Sequence, residues 1–207
     1  MKPEDISYKS LFKMPKPVKV SGRISSITNA FINGIIPCIV PTEIEIKEAL
    51  DILGMGMDIR CAYCGGTCTE WDHFRPLVEN QKPSGYITEI NNLVPACGKC
   101  NQSKGNKKWH EWINSSANLS PRARGVKDLD LLISRIKKYE EWSKPVFVDF
   151  KSILGAQIWD QHWKNWEKLC ADMKKYQVLS NEIQTILHDR IVIRRAGSKP
   201  ALSAKNK

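Results

Sequence analysis

Two cysteine pairs decide how this chain folds: CAYC at residues 61–64 and CGKC at residues 97–100. Two thiolates three residues apart on a tight turn can bind one ion at about 2.3 Å, and two such turns complete a tetrahedron. Gly65 and Gly66 follow the first pair and are the small residues that such turns favour. The spacing predicts a closed structural zinc site rather than four free buried thiols. Its ligands are Cys61, Cys64, Cys97 and Cys100.

The chain has seven cysteines, so three others need an interpretation. Cys68 lies close enough to Cys64 to replace it as a ligand, but we expect it to begin the next strand as a small buried residue. Cys38 and Cys170 have no partner at a suitable spacing, and we expect both to pack in a core. The first 19 residues lack an apolar segment of the kind that signal peptides carry, which favours a reducing compartment without structural disulfides.

Composition limits the class of protein. The 207 residues suggest one domain, and 42% hydrophobic with 26% charged residues is ordinary for a globular protein. A net charge of +10 indicates a polyanionic partner, with nucleic acid first and an acidic membrane surface second. The longest apolar run, around residues 31–40, is interrupted by Asn33, Gly34 and Pro37. It falls short of the roughly 20 apolar residues that a membrane span needs.

The segment between and after the cysteine pairs contains DHFRP at residues 72–76, Asn92-Leu93, Asn101 and Lys104. It resembles the HNH, or ββα-metal, family of nucleases, in the subgroup whose finger carries a four-cysteine zinc site. The resemblance extends over about residues 60–112. It implies an α+β fold, in which a zinc-stapled ββα-metal finger is embedded in mostly α-helical flanking segments.

The residues themselves suggest how a phosphodiester would be hydrolysed. His73 is the natural general base, because neutral imidazole accepts a proton near pH 7. Asp72 offers the hard oxygen that a Mg²⁺-like ion prefers. Adjacent side chains on a strand point to opposite faces, so the two can share a site only where the strand ends or bends, as Pro76 suggests. The alternative for His73 is a structural histidine hydrogen-bonded within a strand, and the alternative for Asp72 is a residue that caps a turn.

The resemblance assigns further roles. It makes Asn101 the second protein ligand of a catalytic Mg²⁺ or Mn²⁺ ion, at the position of the family's last histidine. It makes Asn92 a brace for the loop that carries the base, and it places Lys104 near the scissile phosphate. A helix N-cap is the alternative for Asn101, and a solvated charge is the alternative for Lys104. His110 is excluded, because nine residues along a continuous helix it faces away from Asn101.

The flanks are expected to be mostly helical. We expect four segments: an N-terminal basic arm with helices (1–57), the zinc-bound nuclease core (58–114), a helical region for DNA recognition or dimerisation (115–193), and a basic, disordered tail (194–207). Thr42 and Glu45 form a capping box that opens a helix. Helices are predicted at 24–36, 43–53, 101–112, 126–142 and 158–188, and a short strand at 146–150.

Positive charge is concentrated after the second cysteine pair. Residues 99–127 contain seven Lys or Arg against a single Glu111, which fits contact with a DNA backbone. Arg122 and Arg124 are candidates for reading guanine. The candidate DNA-binding residues are Lys99, Lys104, Lys107, Lys108, Arg122 and Arg124.

The sequence thus predicts a divalent-metal-dependent DNA endonuclease of the HNH class. We expect a Type II restriction endonuclease, a homodimer in the cytoplasm of a prokaryotic or phage-infected cell, acting on double-stranded DNA. The resemblance implies 5′-phosphate and 3′-hydroxyl ends, and a cognate DNA methyltransferase encoded nearby is a possible partner. The alternatives are a junction-resolving nuclease, a non-catalytic zinc-dependent DNA-binding module, and an RNA-directed nuclease.

Overall fold

The computed structural model describes residues 8–197 and mixes 54% helix with 10% strand. The helices are α1 (Tyr8–Leu11), α2 (Ile24–Asn33), α3 (Glu43–Ile52), α4 (Gly98–Lys104), α5 (Trp109–Ile113), α6 (Leu129–Trp142) and α7 (Phe150–Gly197). The strands are β1 (Glu70–His73), β2 (Val78–Glu79), β3 (Lys82–Pro83) and β4 (Leu93–Ala96), and 3-10 turns lie at Ser21–Arg23 and Ile90–Asn92. The predicted fold class, helix and strand with a small finger, is confirmed.

The finger consists of β1, β4 and α4. The two strands pair antiparallel, with Asp72 opposite Val94 and His73 opposite Leu93. The second cysteine pair lies directly after β4, where α4 begins. A hairpin of β2 and β3 extends from the loop between them, with Asn80 and Gln81 at positive φ in its turn. This order of strand, strand and helix is the ββα unit that the sequence predicts.

The core lies between the finger and its helical flanks. Trp112 and Tyr63 are fully buried and meet edge to face, with ring centroids 5.2 Å apart. On α6, Tyr139 is also fully buried, and its hydroxyl donates to the carbonyls of Ile90 at 2.7 Å and Leu93 at 2.9 Å. Because these carbonyls precede and begin β4, this buried tyrosine fixes α6 against the finger.

The predicted capping box is present, since the Glu45 amide donates to Thr42 Oγ1 and the Thr42 amide donates to the Glu45 carboxylate. The predicted continuous helix over 101–112 is wrong. α4 ends at Lys104, and Gly105 at φ +50° reverses the chain before α5 begins at Trp109. The strand predicted at 146–150 is reduced to one bridge, between Phe147 and Tyr86, before α7 begins at Phe150.

The chain divides into two compact units. One comprises residues 28–163, and the other comprises the described parts of the terminal segments 1–27 and 164–207. The predicted tail at 194–207 lies largely outside the described residues. Among the described helices, none combines the length and apolar character of a membrane span. The cysteine site and the catalytic candidates all belong to the unit of residues 28–163.

Candidate metal and catalytic site

Four cysteines meet at the base of the finger. The Sγ atoms of Cys61, Cys64, Cys97 and Cys100 all lie within 4.8 Å of one another. Those of Cys64 and Cys97 are 3.7 Å apart, and the edge of a tetrahedral zinc–thiolate site is about 3.8 Å for Zn–S bonds of ~2.3 Å. The geometry therefore fits the predicted zinc ion. Cys68 lies outside this group, and its thiol faces the Glu70 carbonyl at 3.4 Å.

Local backbone geometry forms the first cysteine turn. The amide of Gly65 donates to the Cys61 carbonyl at 2.8 Å, and Gly65 has φ +69°, a conformation that a residue with a side chain rarely adopts. The second pair is presented by the first turn of α4. Side-chain hydrogen bonds with Cys61 and Cys64, together with burial, raise the pKa of Cys100.

Arg124 contacts this cluster. Its Nη2 donates to Cys100 Sγ at 2.8 Å, so a guanidinium charge lies beside the thiolates. Four thiolates around Zn²⁺ carry a net negative charge, which this cation offsets. Arg122 donates to Asn114 Oδ1 at 2.9 Å. In this structure both arginines that were candidates for reading guanine therefore hold groups of the protein itself.

A cavity of about 180 Å³ contains the catalytic candidates. Asp72, His73 and Asn101 all line it, although Asn101 is far from the other two along the chain. β1 ends at His73, which is how two neighbouring side chains reach one cavity. A carboxylate, an imidazole and an amide oxygen are groups that suit a hard divalent cation and a proton acceptor.

His73 is half-buried and held by one neighbour. Its Nε2 lies 2.9 Å from Thr88 Oγ1. Burial, and to a lesser degree the charge of Lys104, lower the pKa of His73 below its usual value. The ring is therefore neutral at pH 7, the form that accepts a proton.

Asp72 is paired inside the protein. Its Oδ2 accepts the Tyr63 hydroxyl at 2.6 Å and lies 2.9 Å from Lys104 Nζ. Lys104 also donates to the His73 carbonyl at 2.8 Å and is fully buried. We expected Lys104 to lie near the scissile phosphate. In the structure its ammonium instead contacts the Asp72 carboxylate and the His73 carbonyl.

Asn92 is fully buried below the turn that follows β1. Its Oδ1 accepts the Arg75 amide at 2.8 Å, and its Nδ2 donates to the carbonyls of Arg75 at 3.1 Å and Ile87 at 3.2 Å. One amide side chain thus joins the turn after His73 to the segment before β4. Neighbouring Asn91 makes none of these three hydrogen bonds.

Three asparagines outside the predicted site line the same cavity, Asn29, Asn33 and Asn106. The first two lie one turn apart on α2, which Ile32 and Thr28 anchor by burial. The segment after α2 is held by Thr88, whose amide donates to the Pro37 carbonyl and whose carbonyl accepts the Ile39 amide. Thr88 thus joins α2 to the histidine. The sequence signal that could have identified Asn29 and Asn33 is their i, i+4 spacing in an apolar helix.

The remaining candidate DNA contacts are exposed. Lys99, Lys107 and Lys108 all face solvent, and Lys107 Nζ donates to the Ser103 carbonyl at 2.8 Å. Lys99 lies in the first turn of α4 and Lys108 immediately precedes α5. These three charges are therefore accessible to a polyanion.

Residues 61–107 match the model of the HNH endonuclease family. The match begins at the first cysteine pair and ends just beyond α4, so it contains the four clustered cysteines, Asp72, His73 and Asn101. No curated protein and no solved structure matches the chain. The matched segment supports a nuclease and implies DNA as its substrate.

Proposed function

We propose that this protein is a divalent-metal-dependent endonuclease that hydrolyses phosphodiester bonds of double-stranded DNA. The observation that carries the proposal is the single cavity lined by Asp72, His73 and Asn101, within the segment that matches the HNH endonuclease model. A module that only binds DNA has no need of a neutral imidazole beside hard oxygen ligands. This arrangement favours a catalyst over a binding module.

His73 is the proposed general base. The hydrogen bond between Nε2 and Thr88 Oγ1 orients the ring, and in the tautomer with the proton on Nε2 the hydroxyl accepts and Nδ1 takes a proton from the attacking water. The lowered pKa of His73 keeps this nitrogen unprotonated at neutral pH. Asn92 fixes the turn beyond His73, and Lys104 fixes the His73 carbonyl, so both position the base.

Asp72 and Asn101 are the proposed ligands of a catalytic Mg²⁺ or Mn²⁺ ion. When bound, such an ion stabilises the charge that develops on the phosphate and on the leaving oxygen. Their oxygens are the hard donors that these ions prefer, and both side chains line the cavity. The four cysteines are the proposed ligands of a structural zinc ion, which would join the turn at Cys61 to the start of α4.

The biological role that we propose is Type II restriction. The flanking helices and exposed lysines would supply sequence recognition, and a homodimer would place one active site on each strand. The expected products carry 5′-phosphate and 3′-hydroxyl ends. We expect this protein to act in a prokaryotic or phage-infected cytoplasm, with a companion methyltransferase encoded nearby.

The test is cleavage of plasmid and phage-length DNA by the zinc-loaded protein, with Mg²⁺, with Mn²⁺ and with neither. Discrete Mg²⁺-dependent bands support restriction. A Mg²⁺-dependent smear of fragments supports a nuclease and contradicts sequence-specific cleavage. Selective cutting of four-way junctions favours junction resolution over restriction. Cleavage of RNA but not of DNA favours an RNA-directed nuclease. DNA binding without any strand scission contradicts catalysis.

A further inference from the structure

A second cavity adjoins the catalytic cavity. Its volume is about 470 Å³, and it shares Pro76, Val78 and Asn106 with the cavity that contains Asp72 and His73. Aromatic side chains make up much of its wall, among them Tyr86 and Phe147. Because the two cavities share these residues, a strand whose phosphate lies at His73 can reach the second cavity.

Phe147 is an exposed aromatic ring held in a fixed place. Its side chain is 66% exposed, yet its ring covers Gly85 so closely that a Cβ there would lie 2.5 Å from the ring. The Val148 amide donates to the Gly85 carbonyl at 2.8 Å. Tyr86 meets the ring edge to face, with centroids 5.4 Å apart. An exposed ring that is ordered in advance stacks on a ligand at little entropic cost.

Charges around the cavity have both signs. Arg75 lies with its Cζ 5.8 Å from the centre of the Tyr86 ring, and its Nη1 donates to Ser143 Oγ at 2.8 Å. Lys108 contributes an exposed cation, and Glu140, which accepts the Trp109 indole N–H at 3.2 Å, contributes an acid. A bare phosphate would meet the acid as well as the cations. A neutral aromatic ring with polar edges, attached to a phosphate that stays outside, suits this lining better.

We propose that the second cavity binds one nucleobase of the substrate strand, taken out of the base stack beside the scissile phosphate. The proposal rests on the proposed nuclease function and deepens it. Removing a base from a duplex costs a few kcal/mol, and the cost is smallest for an unpaired base. A duplex with one unpaired nucleotide next to the cleavage point should therefore bind more tightly than the same duplex fully paired. Phe147 and Tyr86 supply the stacking surface.

The test compares three oligonucleotides of one sequence: a fully paired duplex, the same duplex with one unpaired nucleotide, and that duplex with the unpaired base replaced by an abasic sugar. Binding is measured by fluorescence anisotropy on zinc-loaded His73→Ala protein with Mg²⁺, so that cleavage does not interfere. Stacking of one base on an aromatic side chain predicts tighter binding of the unpaired nucleotide, on the order of five- to a hundredfold. The abasic duplex should bind like the paired one.

Phe147→Ala should remove this preference, and Phe147→Tyr should retain it. Because the ring is largely exposed, the alanine variant should fold. Leu131→Ala, an exposed apolar truncation on α6, is the matched control and should bind all three duplexes as the parent does.

Three results would overturn the proposal: equal affinity for paired and unpaired duplexes, unchanged binding by Phe147→Ala, or an equal loss by Phe147→Ala on the abasic and unpaired duplexes. The last result would mean that the ring contacts the sugar–phosphate backbone. Failure of the nuclease function is distinct, because the wild-type protein would then cleave no DNA with Mg²⁺ or Mn²⁺.

Discussion

Lys104 and Asp72 form an ion pair that is almost completely withdrawn from solvent. Nζ of Lys104 lies 2.9 Å from Oδ2 of Asp72, and the two side chains are 0% and 5% exposed. Burial lowers the pKa of Lys104 and raises the pKa of Asp72, while their mutual attraction opposes both shifts. The pair joins the end of α4 to β1 directly beneath the proposed active site.

Replacing Lys104 by methionine should destabilise the protein by about 3 kcal/mol, because it leaves a buried carboxylate without its partner. Urea unfolding of the zinc-loaded protein measures the change in the free energy of unfolding. Lys107→Met removes an exposed lysine from the same segment and should cost little. Adding Asp72→Asn to Lys104→Met should recover part of the loss. Equal stability of the Lys104 and Lys107 variants would contradict the importance of the pair.

The four-cysteine site should hold one zinc ion that the fold requires. Cys97→Ser removes one ligand and should lower the zinc content and the melting temperature together, since metal binding contributes folding free energy. Elemental analysis and thermal unfolding measure both. Cys68→Ser is the matched control, because that thiol lies outside the cluster. Loss of zinc from Cys68→Ser, or a full zinc content in Cys97→Ser, would disagree with the assigned ligands.

Asn92→Ala should destabilise the protein by about 3 kcal/mol, because it leaves several buried backbone groups without a hydrogen-bond partner. It should also lower cleavage, since the turn beyond His73 loses its brace. The neighbouring Asn91→Ala controls for the loss of an amide at the same place in the chain. Chemical denaturation and single-turnover cleavage would separate the two effects. Equal stabilities and equal cleavage rates of Asn92→Ala and Asn91→Ala would contradict this role of Asn92.

Asn33→Ala should reduce kcat about tenfold, the value of one hydrogen bond of roughly 1.4 kcal/mol, if its amide contacts the substrate in the catalytic cavity. Alanine has the higher helix propensity, which offsets the loss of the exposed hydrogen bond from Asn33 Nδ2 to the Asn29 carbonyl. Asn118→Ala, at an exposed asparagine outside that cavity, is the control. Unchanged kcat in Asn33→Ala would remove α2 from the active site.

Spacing along the chain made the finger predictable. The two cysteine pairs and the DHFRP segment each place several functional groups within a few residues. Local backbone geometry alone therefore determines that these groups lie close together. The capping box at Thr42 was predictable for the same reason. The break after Lys104 had a signal too, because Gly105 suits the positive φ that ends α4.

Contacts between distant segments could not be predicted in this way. No local pattern says that Lys104 is buried against Asp72, since a lysine in a basic stretch is usually solvated. Nothing near α2 in sequence indicates that Thr88 pairs with the segment after it and brings Asn29 and Asn33 to the cavity. Arg124 likewise reaches Cys100 only because the chain folds back after α5.

The most direct test of the account compares His73→Ala with His188→Ala in DNA cleavage with Mg²⁺, both proteins being zinc-loaded and folded. His73 lines the proposed catalytic cavity, whereas His188 is exposed on α7 and lines neither of the two cavities. We predict a loss of at least 100-fold in the cleavage rate for His73→Ala, as expected for a general base, and a far smaller change for His188→Ala. Full activity of His73→Ala would contradict the central claim.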